Sequence, residues 1–177
     1  FKQKTAYEIM PSLVGSEMCI RDRWYILPHR SELRPVIGGP PQLEPTPPER
    51  VRYVDQWLLE QERRFLATVP SRLTRANTHD LYALIIEMAG RVSVAPFRLL
   101  TQLRDDPFDV WRLNRTRLTR ELESEGLRDL AGVYRRFYEG GWHLFLERPA
   151  SLEMLLKIIR RGYDVVNRCL VALKRTL

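Results

Sequence analysis

The arginines of this chain are of a residue type, and at a spacing, that could bind an anionic ligand. A guanidinium group is planar and permanently charged, and it can bind phosphate or carboxylate oxygens through two parallel hydrogen bonds. One group of basic residues lies past the middle of the chain and another lies near its end. The candidate phosphate-binding residues are Arg112, Arg115, Arg117, Arg120, Arg160, Arg161, Arg168, Lys174 and Arg175.

The two groups differ in how many acidic residues accompany them. In the first group Arg112 and Arg115 share one helix face, and Arg117 and Arg120 share another, so the four form two rows. Acidic neighbours that could pair with them are Glu121, Glu123, Glu125 and Asp129. Helix faces of mixed sign are usually only solvated. In the second group the nearby acids are Glu153 and Asp164, which favours that group as a phosphate contact.

Other reactive side chains lack the spacing that catalysis or metal binding requires. His29, His79 and His143 are far apart in the sequence, and Glu60 and Glu62 are predicted to be solvated surface groups. The chain has no Gly-rich phosphate loop, no HExxH motif and no Cys-x-x-Cys pair. We therefore expect no catalytic residue, no metal site and no cofactor.

One pair of residues resembles a known catalytic motif. Arg72 is followed by His79, and their spacing resembles the Arg-x(4–6)-His motif of helical HEPN-type ribonucleases. The resemblance implies that the pair acts on a scissile phosphate at a dimer interface. It rests on these two residues, and Leu73 stands where that family favours a polar residue.

Residues 1–23 resemble translated adapter DNA from a sequencing library. The segment from Phe1 to Ile9 matches a flow-cell adapter, and the segment from Ser12 to Arg23 matches a transposase-type primer with its mosaic end. The bases between the two matches have the length of a sample index. We therefore exclude residues 1–23 from the native protein. Because the chain does not begin with Met, we also expect the native N-terminus to be missing.

The remaining 154 residues are enough for one domain with a sizeable core. Their 23 arginines and 2 lysines outnumber 19 acidic residues, which gives a net charge of +6. A positive charge favours nucleic acid, anionic membrane surfaces or acidic proteins as partners. Cys169 is the one cysteine outside the adapter-like segment, so no internal disulfide is expected. No apolar run reaches the roughly 18 residues of a transmembrane helix.

The chain beyond the adapter-like segment divides into two parts. Residues 24–46 carry five prolines and a Gly-Gly pair, so we predict a Pro-rich linker or extended arm. Residues 47–177 are predicted to form a single all-α helical bundle of five to six helices. Helical spacing, caps, prolines and glycines place helices at about 47–68, 78–90, 95–104, 126–138 and 151–175, with another starting at Asp106-Pro107. Residues 142–148 are the one candidate for a short strand.

The last predicted helix has the strongest apolar pattern. Its apolar residues step alternately by four and three positions, which is the spacing of a coiled-coil seam. The seam consists of Leu152, Leu156, Ile159, Tyr163, Val166, Leu170, Leu173 and Leu177. A second apolar stripe runs beside it through Met154, Ile158, Val165, Cys169 and Ala172. Two apolar sides favour the central helix of a bundle, and a seam that dimerises is the alternative.

These patterns lead to two functional hypotheses. The first is a non-enzymatic α-helical interaction domain, or a subunit of a larger protein or assembly, with a protein partner or a second copy bound through the last helix. The alternative is a basic helical subunit that binds the backbone of RNA or DNA without reading the bases.

The adapter resemblance makes a prediction about the source DNA. Once the adapter bases are trimmed, overlapping reads should join a different upstream sequence to the codon for Trp24, because library adapters are added after the DNA leaves the cell. Sequencing the same locus by a method that uses no such adapters checks this. Reads that still encode residues 1–23 at that position would show the segment to be native.

Overall fold

A computed structural model of the chain describes residues 46–146 and 150–176. The predicted Pro-rich arm lies outside the described residues except for Thr46. The chain divides into two units, Phe1–Pro47 and Pro48–Leu177. The described residues of the second unit form six helices and no strand, which confirms the all-α class. The helices are α1 (Pro48–Leu73), α2 (Thr78–Leu103), α3 (Pro107–Trp111), α4 (Arg115–Ser124), α5 (Arg128–Leu146) and α6 (Leu152–Thr176).

The core of the bundle forms around α6, which packs against α1, α2 and α5. Both apolar stripes of α6 are used in this packing, as expected for a helix with two apolar sides. The buried apolar residues of α6 are Leu155, Ile158, Ile159, Val165, Val166, Cys169, Leu170 and Leu173. The short helices lie at the periphery, since α3 packs on α1 and α2, and α4 packs on α5 and α2.

Glycine allows α6 to approach its neighbours closely. A Cβ atom added at Gly162 would lie 2.3 Å from Cγ of Met88 on α2 and 2.8 Å from Cε2 of Phe137 on α5. A Cβ added at Gly140 of α5 would lie 2.9 Å from a guanidinium nitrogen of Arg161 on α6. Because these distances are well inside van der Waals contact, a larger residue at Gly162 would push α2 and α5 away from the central helix.

One helix replaces the two that were predicted at 78–90 and 95–104. Asn77 caps it, since the side chains of Asn77 and Asp80 each accept a hydrogen bond from the other's backbone N–H. The helix then continues through Gly90 and Pro96. In a helix interior, glycine is less favourable than alanine by about 1 kcal/mol and proline by about 3 kcal/mol. Burial of an unbroken apolar stripe, at about 1.5–3 kcal/mol per large side chain, exceeds that cost. The stripe consists of Met88, Val92, Ala95 and Leu99.

The helix predicted to start at Asp106-Pro107 is divided into α3 and α4. The Asp106 side chain accepts a hydrogen bond from the Phe108 N–H at 2.8 Å and caps α3, as expected. The helix ends at Trp111, and the Asn114 side chain then accepts from the Arg117 N–H at 2.9 Å to cap α4. Asparagine competes with a helix interior by bonding to nearby backbone groups, so it starts a new helix here.

Two predicted helix ends and the candidate strand are also wrong. α5 runs through Gly140-Gly141 and includes residues 142–146 of the candidate strand. Gly140 is buried beside Arg161 and Ile158, so it provides a close contact between helices instead of a break. α1 starts at Pro48, one residue after the predicted start, and extends past Pro70 to Leu73. Pro70 lies one turn from the end of α1, where its missing N–H removes a single backbone hydrogen bond.

Two Gly→Ala substitutions should change stability in opposite directions. Gly162→Ala is expected to lower the free energy of unfolding by about 1–3 kcal/mol, because the new methyl overlaps Met88 and Phe137. Gly90→Ala is the matched control, since a Cβ there meets no atom within 4 Å. It should raise stability by about 0.5–1 kcal/mol. Urea unfolding followed by circular dichroism measures both, and equal effects would contradict the close approach at Gly162.

Candidate functional site

The seam predicted on α6 has a buried part and an exposed part. Four members of the seam are buried, with at most 3% of their surface exposed. They are Ile159, Val166, Leu170 and Leu173. Tyr163 is half-buried, and Leu177 lies outside the described residues. Leu152 and Leu156, at the start of α6, are 60% and 39% exposed. Most of the seam therefore packs inside this chain, and its first two members are accessible to a partner.

Basic residues are concentrated on α6. This helix has six of them against two acids, Glu153 and Asp164, which gives a net charge of +4. We call these six residues the basic face of α6, and they are Lys157, Arg160, Arg161, Arg168, Lys174 and Arg175. All of them are exposed or half-buried. Five of the six were predicted as phosphate contacts, and Lys157 was not.

Two members of the basic face are engaged with other groups of the chain. The Arg168 side chain pairs with Asp164 at 2.9 Å and lies 4.0 Å from Asp129 on α5. Arg161 donates a hydrogen bond to the backbone carbonyl of Arg136 at 3.0 Å. The other four form no ion pair with any acid of the described residues. Those four are therefore the ones that present uncompensated charge to solvent.

The arginines predicted around α4 do not act as one group. Arg112 pairs with Asp109 at 2.9 Å. Arg115 lies over the ring of Tyr138, 4.1 Å from its centroid, which is a cation–π contact. Arg117 and Arg120 are exposed. The structure therefore leaves two of these four arginines accessible to phosphate and uses the other two within the fold.

A network of charged side chains joins α1 to α2. Glu62 was predicted to be a solvated surface residue, but this is wrong, because it is only 5% exposed. Its carboxylate accepts hydrogen bonds from Arg91 at 2.6 Å and from the buried Arg98 at 3.3 Å. Glu60 differs from Glu62, because it is only half-buried and its carboxylate accepts a hydrogen bond from the side chain of Gln56. A buried carboxylate requires such partners, because an unpaired charge is very costly away from water.

The same network extends to the surface of the bundle. Glu87 pairs with Arg72 at 2.6 Å and with Arg91 at 3.1 Å. Partial burial raises the pKa of Glu87, but the hydrogen bonds from Arg72 and Arg91 outweigh it and hold that pKa below its usual 4.5. Arg72 of the HEPN-like pair is thus engaged in an ion pair, and His79 is exposed in the first turn of α2.

A sequence signal for this network does exist. Asp55 and Glu62 are seven residues apart on α1, and Arg91 and Arg98 are seven apart on α2. Seven residues are about two helical turns, so each pair lies on one helix face. Asp55 is fully buried and accepts a hydrogen bond from the indole N–H of Trp111 at 3.0 Å. Of the two acids, Glu62 is the one that accepts from both Arg91 and Arg98, so its charge opposite theirs is the sequence signal for the contact between α1 and α2.

A cleft with a volume of about 470 Å³ lies between the end of α5 and the start of α6. Its polar lining mixes both signs of charge, so it does not select an anion or a cation. The polar side chains are Glu139, His143, Ser151, Glu153, Lys157 and Arg161. Within the ranges that the structure describes, no group of three or more potential metal ligands is assembled.

Two aromatic side chains on α1 are exposed, although their sequence pattern does not predict it. Tyr53 is 70% exposed and Trp57 is 51% exposed, and they lie one turn apart. Arg50 precedes Tyr53 by three residues and Arg64 follows Trp57 by seven, so all four share one side of the helix. We call these four residues the aromatic face of α1. The half-buried Glu60 lies at its edge.

None of the helices in the described part of the chain is long and apolar enough to cross a membrane. Comparison of the chain with known protein families, with curated proteins and with solved structures finds no match. Function is therefore inferred from the surfaces of this chain alone.

The buried network predicts different effects for two nearby glutamates. Glu62→Gln should lower the free energy of unfolding by about 3 kcal/mol, because Arg91 and Arg98 lose the negative charge that compensates them. Glu60→Gln, the same change two residues away, should alter it by less than about 0.5 kcal/mol. Urea unfolding of both variants checks this. Similar losses in the two would mean that the Glu62 pairs add little to stability.

Proposed function

We propose that this chain is a non-enzymatic α-helical interaction domain that binds a partner protein through the aromatic face of α1. The observation that carries the proposal is the exposure of Tyr53 and Trp57 side by side on a helix whose other face is buried. Tyrosine and tryptophan combine a large apolar area with one polar group, which suits a surface that is wet when free and buried when bound. Such residues often supply most of the binding energy of an interface.

Each end of the aromatic face carries an arginine. Arg50 and Arg64 are exposed and form no ion pair with the described acids. Arginine is enriched at protein interfaces along with tyrosine and tryptophan, because its planar group stacks on rings and forms forked hydrogen bonds. An apolar centre with charged residues at its rim is the usual organisation of a protein interface.

The exposed start of the α6 seam supports a second, smaller contact. Ile86 of α2 is also an exposed apolar residue, at 69%. The Tyr82 hydroxyl accepts a hydrogen bond from the Ala150 N–H at 3.3 Å. This bond places the start of α6 beside the turn of α2 that holds Tyr82 and Ile86. Contact through the last helix, whether with a partner or with a second copy, is therefore proposed for Leu152 and Leu156 alone.

The environment of the reactive side chains supports a non-enzymatic role. The buried charges Glu62 and Arg98 hold α1 to α2, so they serve the fold. Burial also raises the pKa of the Cys169 thiol. A buried thiol of high pKa stays protonated and is a poor nucleophile.

The proposal predicts that partner binding depends on α1. The tagged chain, a Tyr53→Ser/Trp57→Ser variant and a Trp142→Ser control, which changes an exposed tryptophan on α5, are each used for capture from an extract of the source cells. A specific partner should be retained by the wild type and the control and lost with the double variant. With that partner purified, calorimetry should show at least about 30-fold weaker binding for Trp57→Ser, since such an anchor contributes 2 kcal/mol or more.

Sedimentation of the same proteins separates a partner from a second copy. A dimer that dissociates only in the Tyr53→Ser/Trp57→Ser variant would identify the partner as a second copy bound through α1. A dimer that dissociates only in a Leu152→Ser/Leu156→Ser variant would contradict the α1 proposal and assign the contact to α6. All four positions are exposed, so the variants should keep the circular dichroism of the wild type.

A further inference from the structure

We propose that the basic face of α6 is a second binding surface, and that it binds the phosphodiester backbone of RNA or DNA. The first observation is where the charge lies. The residues outside the adapter-like segment have a net charge of +6, and α6 alone contributes +4 of it. Most of this net charge therefore lies on one helix, and clustered positive charge is the arrangement that attracts a polyanion.

The second observation is that four cations on this one helix have no ion pair with an acid of the described residues. Arginines that pair with a described acid include Arg72, Arg91, Arg104, Arg112 and Arg135. On α6, Lys157, Arg160, Lys174 and Arg175 have no such pair within the described residues. An unpaired surface cation can neutralise a phosphate without first breaking an internal ion pair, so its charge is fully available to the ligand.

The geometry of α6 suits an extended ligand. From Lys157 to Arg175 the helix rises about 27 Å, at about 1.5 Å per residue. Phosphates follow one strand of B-DNA at about 3.4 Å of helix axis each, so this length matches roughly eight of them. Because the opposite side of α6 is buried in the core, the helix is held rigidly. The cations therefore keep their spacing without a loss of backbone entropy on binding.

The side chains between the cations favour nucleic acid over an acidic protein. A protein interface requires an apolar, desolvated centre. On the solvent side of α6 between Lys157 and Lys174, the exposed residues other than basic ones are Asn167 and Val171. A surface of cations with little apolar area is typical of contacts to a phosphate backbone. Amphipathic helices that bind membranes insert their apolar side into lipid, but the apolar side of α6 is inside this fold.

The test is fluorescence anisotropy with the full-length chain and labelled single- and double-stranded RNA and DNA. From about 50 to about 200 mM salt, log affinity for duplex should fall linearly with log salt, at a slope of about −3 to −4 for four neutralised phosphates. Lys157→Ala/Arg175→Ala should make the slope shallower by about two, since each cation removed releases one phosphate contact.

A matched control separates the α6 surface from total charge. Arg63→Ala/Arg75→Ala removes the same charge from exposed positions in and after α1, and it should leave the slope unchanged. Tyr53→Ser/Trp57→Ser should also bind nucleic acid as the wild type does, so this proposal can fail or succeed independently of the protein interface on α1.

Three results would overturn the proposal. The first is no binding to any of the four nucleic acids at low salt. The second is an equal loss of slope in the α6 variant and in the Arg63→Ala/Arg75→Ala control. The third is displacement of the labelled duplex by polyglutamate or by phosphatidylserine vesicles as effectively as by unlabelled duplex at equal charge, which would assign the surface to acidic proteins or to membranes.

Discussion

The close approach of α6 to its neighbours at Gly162 is the constraint on which the rest of the bundle depends. The side chains of Met88 and Phe137 occupy the space where a Cβ at this position would lie. α2 and α5 can therefore both pack on one central helix, and that helix can bury apolar residues on two sides. Since apolar burial is the main favourable term in folding, this contact decides which residues of α6 are left for the surface.

The central position of α6 also determines how its charges can act. With its apolar stripes committed to the core, its basic residues are on the outside and face only two acids on the same helix. On α2, by contrast, Arg91 and Arg98 point toward α1 and are compensated by Glu62. The same residue type thus holds helices together in one place and remains available for an anionic ligand in another. The difference is the position of the acids and not the number of arginines.

Two surfaces of different chemistry result from this arrangement. The aromatic face of α1 offers large apolar side chains, whose removal from water would stabilise the protein complex that we propose. The basic face of α6 offers rigidly spaced cations with little apolar area, whose interaction with an anionic backbone weakens as salt is added. Together they support the proposed role of the domain, which is to bind a protein and a nucleic acid at separate surfaces.

The sequence by itself determined the all-α class, the helix start at Asp106-Pro107 and the two-sided apolar pattern of α6, because each depends on residues within a few turns of one another. Only the tertiary structure decided that α2 and α5 continue through Gly90, Pro96 and Gly140, and that Glu62 is buried. These outcomes depend on contacts between residues far apart in the chain. Helix propensity alone predicts a break at glycine or proline. The free energy gained by burying apolar side chains against a neighbouring helix is larger than the cost of keeping these residues in a helix, so the helix continues. Exposure of Tyr53 and Trp57 is likewise settled by which face of α1 the other helices cover.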